Sequence, residues 1–263
     1  MQRPARQTLL HNLPMLKPHL LVVAILVSVQ AFAQEAENPP PSAEVALQPV
    51  TVTGSMSQPF KPYRAMFPGL KAYARLQASL GPQSQLRFRI LKKDEADPSI
   101  PPPASLTVSL RGPETSTVLA LDVDSGFELP FSQTLYDEDF DITLSQPTQA
   151  YRWWADVRSP NVPRKARRLG DLRLQCWVNS EISKADMGFA ARAAMNVLTL
   201  GGDICTSKAI SHGTTAPEKL SSARIVDGDK TKVLRTRGAM FEVPVADKAW
   251  SNEALIEFEF ANP

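Results

Sequence analysis

The chain has 263 residues, 43% of them hydrophobic and 21% charged, with 29 Lys+Arg against 27 Asp+Glu. That length holds one large domain or two small ones, each able to bury a core. The near balance of charge gives no indication of a nucleic-acid partner, and what positive excess exists sits at the very start, where Arg3, Arg6 and Lys17 precede the first carboxylate, Glu35.

In chain order, residues 1–33 carry an export pattern. A basic start leads into an almost unbroken apolar run from Leu20 to Val29, and Ala31-Phe32-Ala33 places small residues where a signal peptidase reads them. The run falls short of the roughly 20 residues that span a bilayer. Cleavage after Ala33 makes Gln34 the mature N-terminus, and the expected location is the periplasm or the outside of a bacterial type of cell. Membrane attachment would come only through an uncleaved signal. Residues 34–60 are expected to be a flexible tether, because Pro39-Pro40-Pro41 and its polar neighbours cannot pack a core. Within it, Leu47-Gln48-Pro49-Val50-Thr51-Val52-Thr53-Gly54 resembles the energy-coupling box of TonB-dependent outer-membrane receptors. Those receptors need a plug and a large barrel, for which this chain has no room. An edge strand or extended linker is the other reading.

The remainder carries an internal echo. Phe127-Glu128-Leu129-Pro130-Phe131 matches Phe241-Glu242-Val243-Pro244-Val245, and the same spacing puts Tyr136 on Trp250, Asp139 on Glu253, Ile142 on Ile256 and Leu144 on Phe258. One gap upstream, Val118-Leu119 meets Val233-Leu234. Leu86-Arg87-Phe88 echoes Leu172-Arg173-Leu174 at a shorter spacing, so the second copy is expected to hold an insertion over residues 184–212.

Strands follow from alternation. Leu86–Ile90, Leu106–Leu110, Val118–Val123, Phe127–Phe131 and Asp141–Leu144 make the first set, with Asp124-Ser125-Gly126 as a turn whose Gly supplies positive φ. Ala223–Val226 and Lys232–Arg235 flank the hairpin signal Asp227-Gly228, and Ala254–Phe260 closes the chain. Helices are expected over Leu70–Leu80, ending at Gly81-Pro82, and over Asp186–Leu200, ending at Gly201-Gly202. The fold class is therefore mainly β: two tandem β-sandwich-like modules, 61–149 and 160–263, with one or two short helices and a helical insertion in the second.

The order of strand, Asp-Ser-Gly-Phe turn, short strand and acidic-aromatic segment into Asp141-Ile142-Thr143-Leu144 resembles the transthyretin-like sandwich, which includes carboxypeptidase regulatory-like domains of exported bacterial proteins. The resemblance implies an accessory or binding role, since such domains are usually not catalytic, and it transfers no functional residues.

Chemistry-bearing residues are sparse. Cys176 and Cys205 are the two cysteines, and an even count in an exported chain favours a disulfide, here expected to staple the inserted helix to a strand over 172–178. No metal site or cofactor is expected, because His212 is the single His beyond the signal and sits in a polar loop. No residue is singled out as catalytic. Trp153 and Trp154 would face opposite sides of a strand over 150–158. With Arg152, Arg164, Arg167 and Arg168, Trp154 forms the candidate binding patch at the junction of the modules. Its partner would be another envelope protein or an acidic envelope polymer. Two alternatives accompany this non-enzymatic reading. One is a carboxylate hydrolase of envelope glycans using Asp137, Asp139 and Glu253. The other is an adaptor that adds a strand at a sheet edge.

Overall fold

The computed structural model describes residues 59–93, 100–199 and 201–261. The export signal, the energy-coupling-like segment and all of the tether before Pro59 lie outside the described residues. Among these residues the chain is mainly β, with 14 strands in four antiparallel sheets and four α-helices.

The strands in chain order are β1 (Lys61–Pro62), β2 (Gln85–Lys92), β3 (Val108–Arg111), β4 (Ser116–Leu119), β5 (Gly126–Phe127), β6 (Asp141–Leu144) and β7 (Tyr151–Arg158). They continue as β8 (Ala166–Arg168), β9 (His212–Thr215), β10 (Leu220–Asp227), β11 (Lys230–Val233), β12 (Thr236–Arg237), β13 (Met240–Val243) and β14 (Leu255–Phe260). The helices are α1 (Tyr63–Leu80), α2 (Gln133–Asp137), α3 (Leu169–Asp186) and α4 (Phe189–Leu198).

One strand order occurs twice. A four-stranded sheet runs β1-β6-β3-β4, and a second runs β8-β14-β10-β11. The ladders agree residue by residue. Ile142 pairs with Lys61 on one side and Leu110 on the other, and Ile256 pairs with Arg167 and Ile225. Both isoleucines are buried, at 1% and 0% exposure. In the two smaller sheets, β5-β2-β7 and β12-β13-β9, Phe88 faces Phe127 and Thr214 faces Phe241. Ile142 and Ile256 lie 114 residues apart, the spacing carried by the Phe-Glu echo, and Leu119 and Leu234 occupy matching ends of the two hairpins.

The leading echo is different. Lys61 and Arg167 hold the same ladder position 106 residues apart, so α1 and α3, each 18 residues long, are the counterparts. Leu86-Arg87-Phe88 is strand, whereas Leu172-Arg173-Leu174 is helix. The echo of Leu86-Arg87-Phe88 points to a strand here, but this segment is buried on both sides. Leu169 and Leu172 pack into the second cluster of apolar side chains, and Val178 and Ile182 pack into the first. A helix embedded all round loses the amphipathic period by which it would be recognised. The residues past the expected boundary at 149–160 therefore contribute to the first core.

Helix α1 also exceeds its expected range, starting at Tyr63 instead of Leu70 and running through Pro68. Pro in a helix interior costs roughly 3 kcal/mol. Here Tyr63, Met66, Phe67 and Leu70, all 6% exposed or less, form a buried stripe at helical spacing that outweighs it. Gly69 allows α1 to lie against α3: a Cβ there would come 2.5 Å from the Ile182 side chain and 2.9 Å from the Val178 carbonyl.

Two turns differ in detail. In Asp124-Ser125-Gly126 the positive φ falls on Ser125, at 60°, and not on the glycine. The Asp122 carboxylate accepts hydrogen bonds at 2.8 Å from the backbone N–H groups of Asp124 and Gly126, holding the turn. In the second hairpin Asp227 pairs with Lys230, leaving a two-residue turn in which Gly228 takes φ 59°.

Candidate ligand groove

Strand β7 is the outer strand of β5-β2-β7, paired with β2 along its full length from Gln85↔Arg158 to Lys92↔Tyr151. Its other edge would present unpaired backbone groups. Helix α3 covers half of that edge with a polar stripe at one residue per turn. Asp171 accepts from the Ser159 N–H at 2.7 Å, Gln175 from the Val157 N–H at 3.3 Å and Asn179 from the Ala155 N–H at 3.4 Å. Side chains four apart on a helix rise about 6 Å, and alternate residues of a strand about 6.7 Å. The two spacings agree closely enough for a helix face to substitute for a neighbouring strand.

Arg167 and Arg168 belong to this internal seam. They are 3% and 7% exposed, which corrects their assignment to a surface patch. Arg167 donates to the Val157 carbonyl and to Gln175, both at 2.9 Å, and pairs with Asp156 at 3.3 Å. Burial pushes its pKa down to about 10 against the pull of Asp156. Burial also works to raise the Asp156 pKa, but Arg167, Arg158 and Arg89 outweigh it and hold the carboxyl below its ordinary value. Arg168 donates to Asp171 at 3.1 Å, to Glu253 at 2.6 Å and to the Leu80 carbonyl at 2.6 Å. Arg164 is on the surface, 3.9 Å from Glu218, and lines neither of the cavities described next. The five-residue patch thus reduces to Trp154 and Arg152.

Those two line a continuous groove. A cavity of about 470 Å³ lies over α3, closed by Met187 and Met195 at the α4 side and by His212, Gly213 and Thr214 of β9. A second, of about 620 Å³, is bordered by Phe60, Lys61, Lys93, Tyr151, Arg152 and Trp153. Trp154, Asn179 and Ser183 border both. Trp154 is 38% exposed at their junction. Trp153 points the other way, onto the first apolar cluster and edge-on to Phe88. The opposite facing of the two tryptophans is as strand geometry requires.

His212, expected in a loop, is half-buried in β9. Its Nε2 lies 2.9 Å from the Ile204 carbonyl, which can only accept, so Nε2 carries the proton; Nδ1 then faces Cys176 Sγ at 3.7 Å. Burial lowers its pKa, opposed by the Ile204 carbonyl and Asp203. The unfolded chain gains this proton near pH 6.5, and the folded chain only at lower pH. The stabilisation from neutral His212 is whole above pH 6.5 and is lost as pH falls through the folded value. Urea midpoints compared at pH 8 and pH 5.5 should show a smaller drop in His212→Gln than in the wild type; an equal drop would refute this.

Lys184 also borders the first cavity. Burial lowers its pKa, but its contacts with Asp203 at 2.6 Å and Glu181 at 2.8 Å raise it more. Cys176 and Cys205 lie at bonding distance and form a disulfide. It ties α3 to the short turn Ile204–Thr206, which corrects the expected strand-to-helix staple. Helix α4 itself has no buried residue, and Phe189 is 89% exposed.

No family model, curated protein or solved structure matches this chain.

The three carboxylates considered for hydrolysis have separate partners. Asp139, at φ 55°, pairs with Arg64, Glu253 pairs with Arg168, and Asp137 accepts from Gln133. Among the described residues no group of three or more His, Cys, Asp or Glu is placed to hold a metal ion. Sequence reasoning missed the stripe Asp171, Gln175, Asn179. Its four-residue period is present in the sequence but lies in a segment whose echo of Leu86-Arg87-Phe88 points to a strand.

Proposed function

We propose that the chain is a non-catalytic binding protein of the cell envelope, exported by its N-terminal signal, that holds a ligand in the groove over α3. The observation that carries this reading is Trp154, exposed where two cavities meet, on a strand paired along its full length with β2. A large aromatic side chain left in water at a concave site offers contact area at low entropic cost. The groove walls are mixed: Met187, Met195 and Val243 supply apolar surface, and Asn179, Ser183 and Lys184 supply hydrogen-bonding groups. The resemblance of the segment ending at Leu144 to transthyretin-like domains is in keeping with a binding role.

The test uses 8-anilinonaphthalene-1-sulfonate, an amphipathic probe of such sites. The whole protein is expected to take up the dye with rising emission. Ser183→Trp, placed where the cavities join, should abolish the rise while leaving the unfolding midpoint unchanged. Uptake indifferent to Ser183→Trp would remove the groove from consideration.

A further inference from the structure

We propose that the stretch of β7 at Tyr151–Trp153, which among the described residues pairs with no strand other than β2, receives an extended acidic peptide as an added strand; this deepens the groove reading and rests on it. The polar stripe of α3 covers the edge only as far as Ala155. The next residue of the stripe, Ser183, makes no hydrogen bond to Trp153 among the described residues, and α3 ends at Asp186.

The direction of the Trp153 backbone follows from two independent observations. Its partner across the ladder, Ile90, turns its N–H away from β7 to the Ser125 carbonyl at 3.1 Å. The alternate residues Ala155 and Val157 send their N–H groups to α3. In an antiparallel pair these features belong to the residues that do not bond across the ladder. Trp153 therefore presents both N–H and C=O to the open side, and Tyr151 presents its C=O there. The Tyr151 N–H is already used by the Thr148 carbonyl. A donor and acceptors in strand register recognise another peptide backbone.

Charge sets the class of peptide. Arg152 and Lys93 are exposed and have no ion-pair partner among the described residues, and both border the cavity at this edge. Lys61 lies beside them, pairing with Asp186 and standing 5.8 Å from the centre of the Trp153 ring. An acidic side chain on the added strand would meet these cations. Aromatic residues Phe60, Tyr151 and Trp154 border the same space for its apolar side chains. An acidic glycan would satisfy the cations but has no backbone row to match the edge.

The test titrates the whole protein with a fluorescent peptide of about ten residues, alternating Val and Thr with two Glu. Its counterparts are a Lys-for-Glu peptide, two versions N-methylated at alternate positions in opposite frames, and an oligogalacturonate. The Glu peptide is expected to bind about tenfold or more tighter than the Lys peptide. One N-methyl frame should lose about tenfold or more and the other little, because only one frame faces β7. The double variant Arg152→Glu, Lys93→Glu should reverse the preference to the Lys peptide. Equal effects of the two frames, or oligogalacturonate binding where the Glu peptide does not, would overturn the proposal. Dye uptake by a protein that binds no peptide overturns strand addition alone, whereas failure of both takes the groove reading with it.

Discussion

Replacing Asp171 with alanine should lower the free energy of unfolding by about 3–5 kcal/mol, the range for removing one partner of a buried ion pair. Asp171 is 1% exposed, and its two oxygens are fully used. One accepts from the Ser159 N–H at 2.7 Å; the other accepts from the Ser159 hydroxyl at 2.9 Å and from Arg168 at 3.1 Å. The truncation leaves the Ser159 N–H without its acceptor and Arg168 buried with Glu253 as its remaining carboxylate, and Glu253 is itself largely in solvent, 75% exposed at its side chain. Asp171 also sits in the first turn of α3, where the helix dipole favours a negative charge. Asp171→Asn keeps the shape and one acceptor, so its loss should be smaller, about 1–3 kcal/mol. Urea unfolding of both variants measures the difference. A loss under about 1 kcal/mol for Asp171→Ala would mean that this seam between β7 and α3 is not the structural tie its geometry describes.

The β content was legible wherever one face of a strand is buried and the other wet. Asp141–Leu144 was located to the residue, and Ile256 and Phe258 alternate with Glu257 and Glu259 as a half-buried strand must. The hairpin at Asp227-Gly228 was legible because a two-residue turn needs positive φ at a small residue. The recurring order of strands was visible at the trailing spacing, where apolar ladder positions are retained. It was lost at the leading one, because α1 and α3 correspond through their place in the fold and share little side-chain pattern.

The functional surface was less readable for a related reason. Adjacent arginines in sequence look like a basic patch, yet Arg167 and Arg168 flank a strand end that enters the interior beside Asp156 and Asp171. Carboxylates distant in sequence neutralise them, and those pairings exist only after α3 has formed. Trp154 and Arg152 stayed on the surface because they lie on the face of β7 opposite Tyr151, Trp153 and Ala155, which pack into the first apolar cluster. His212 joined the groove because the turn Ile204–Thr206 is brought to it through the disulfide, a contact invisible to local pattern.

Removing that disulfide should produce the second large effect. Cys176 and Cys205 are 29 residues apart, and opening a loop of that size costs about 3–4 kcal/mol on the chain-entropy account. The double variant Cys176→Ser, Cys205→Ser should therefore unfold at clearly lower urea. The effect should also be uneven. Helix α4 lies inside the loop without a buried residue, so this region draws little stability from packing. What holds it against α3 is the disulfide, the Lys184–Asp203 contact and the His212–Ile204 hydrogen bond. Lys184 keeps 40% of its side chain in solvent and His212 is half-buried, so the last two contacts are worth about 1 kcal/mol each. In the double variant the loop should open before the sheets do, and dye uptake should fall at urea concentrations where the far-ultraviolet β signal is still native. If dye uptake and β structure were lost together, the groove would be held by the core itself and the disulfide would act only on global stability.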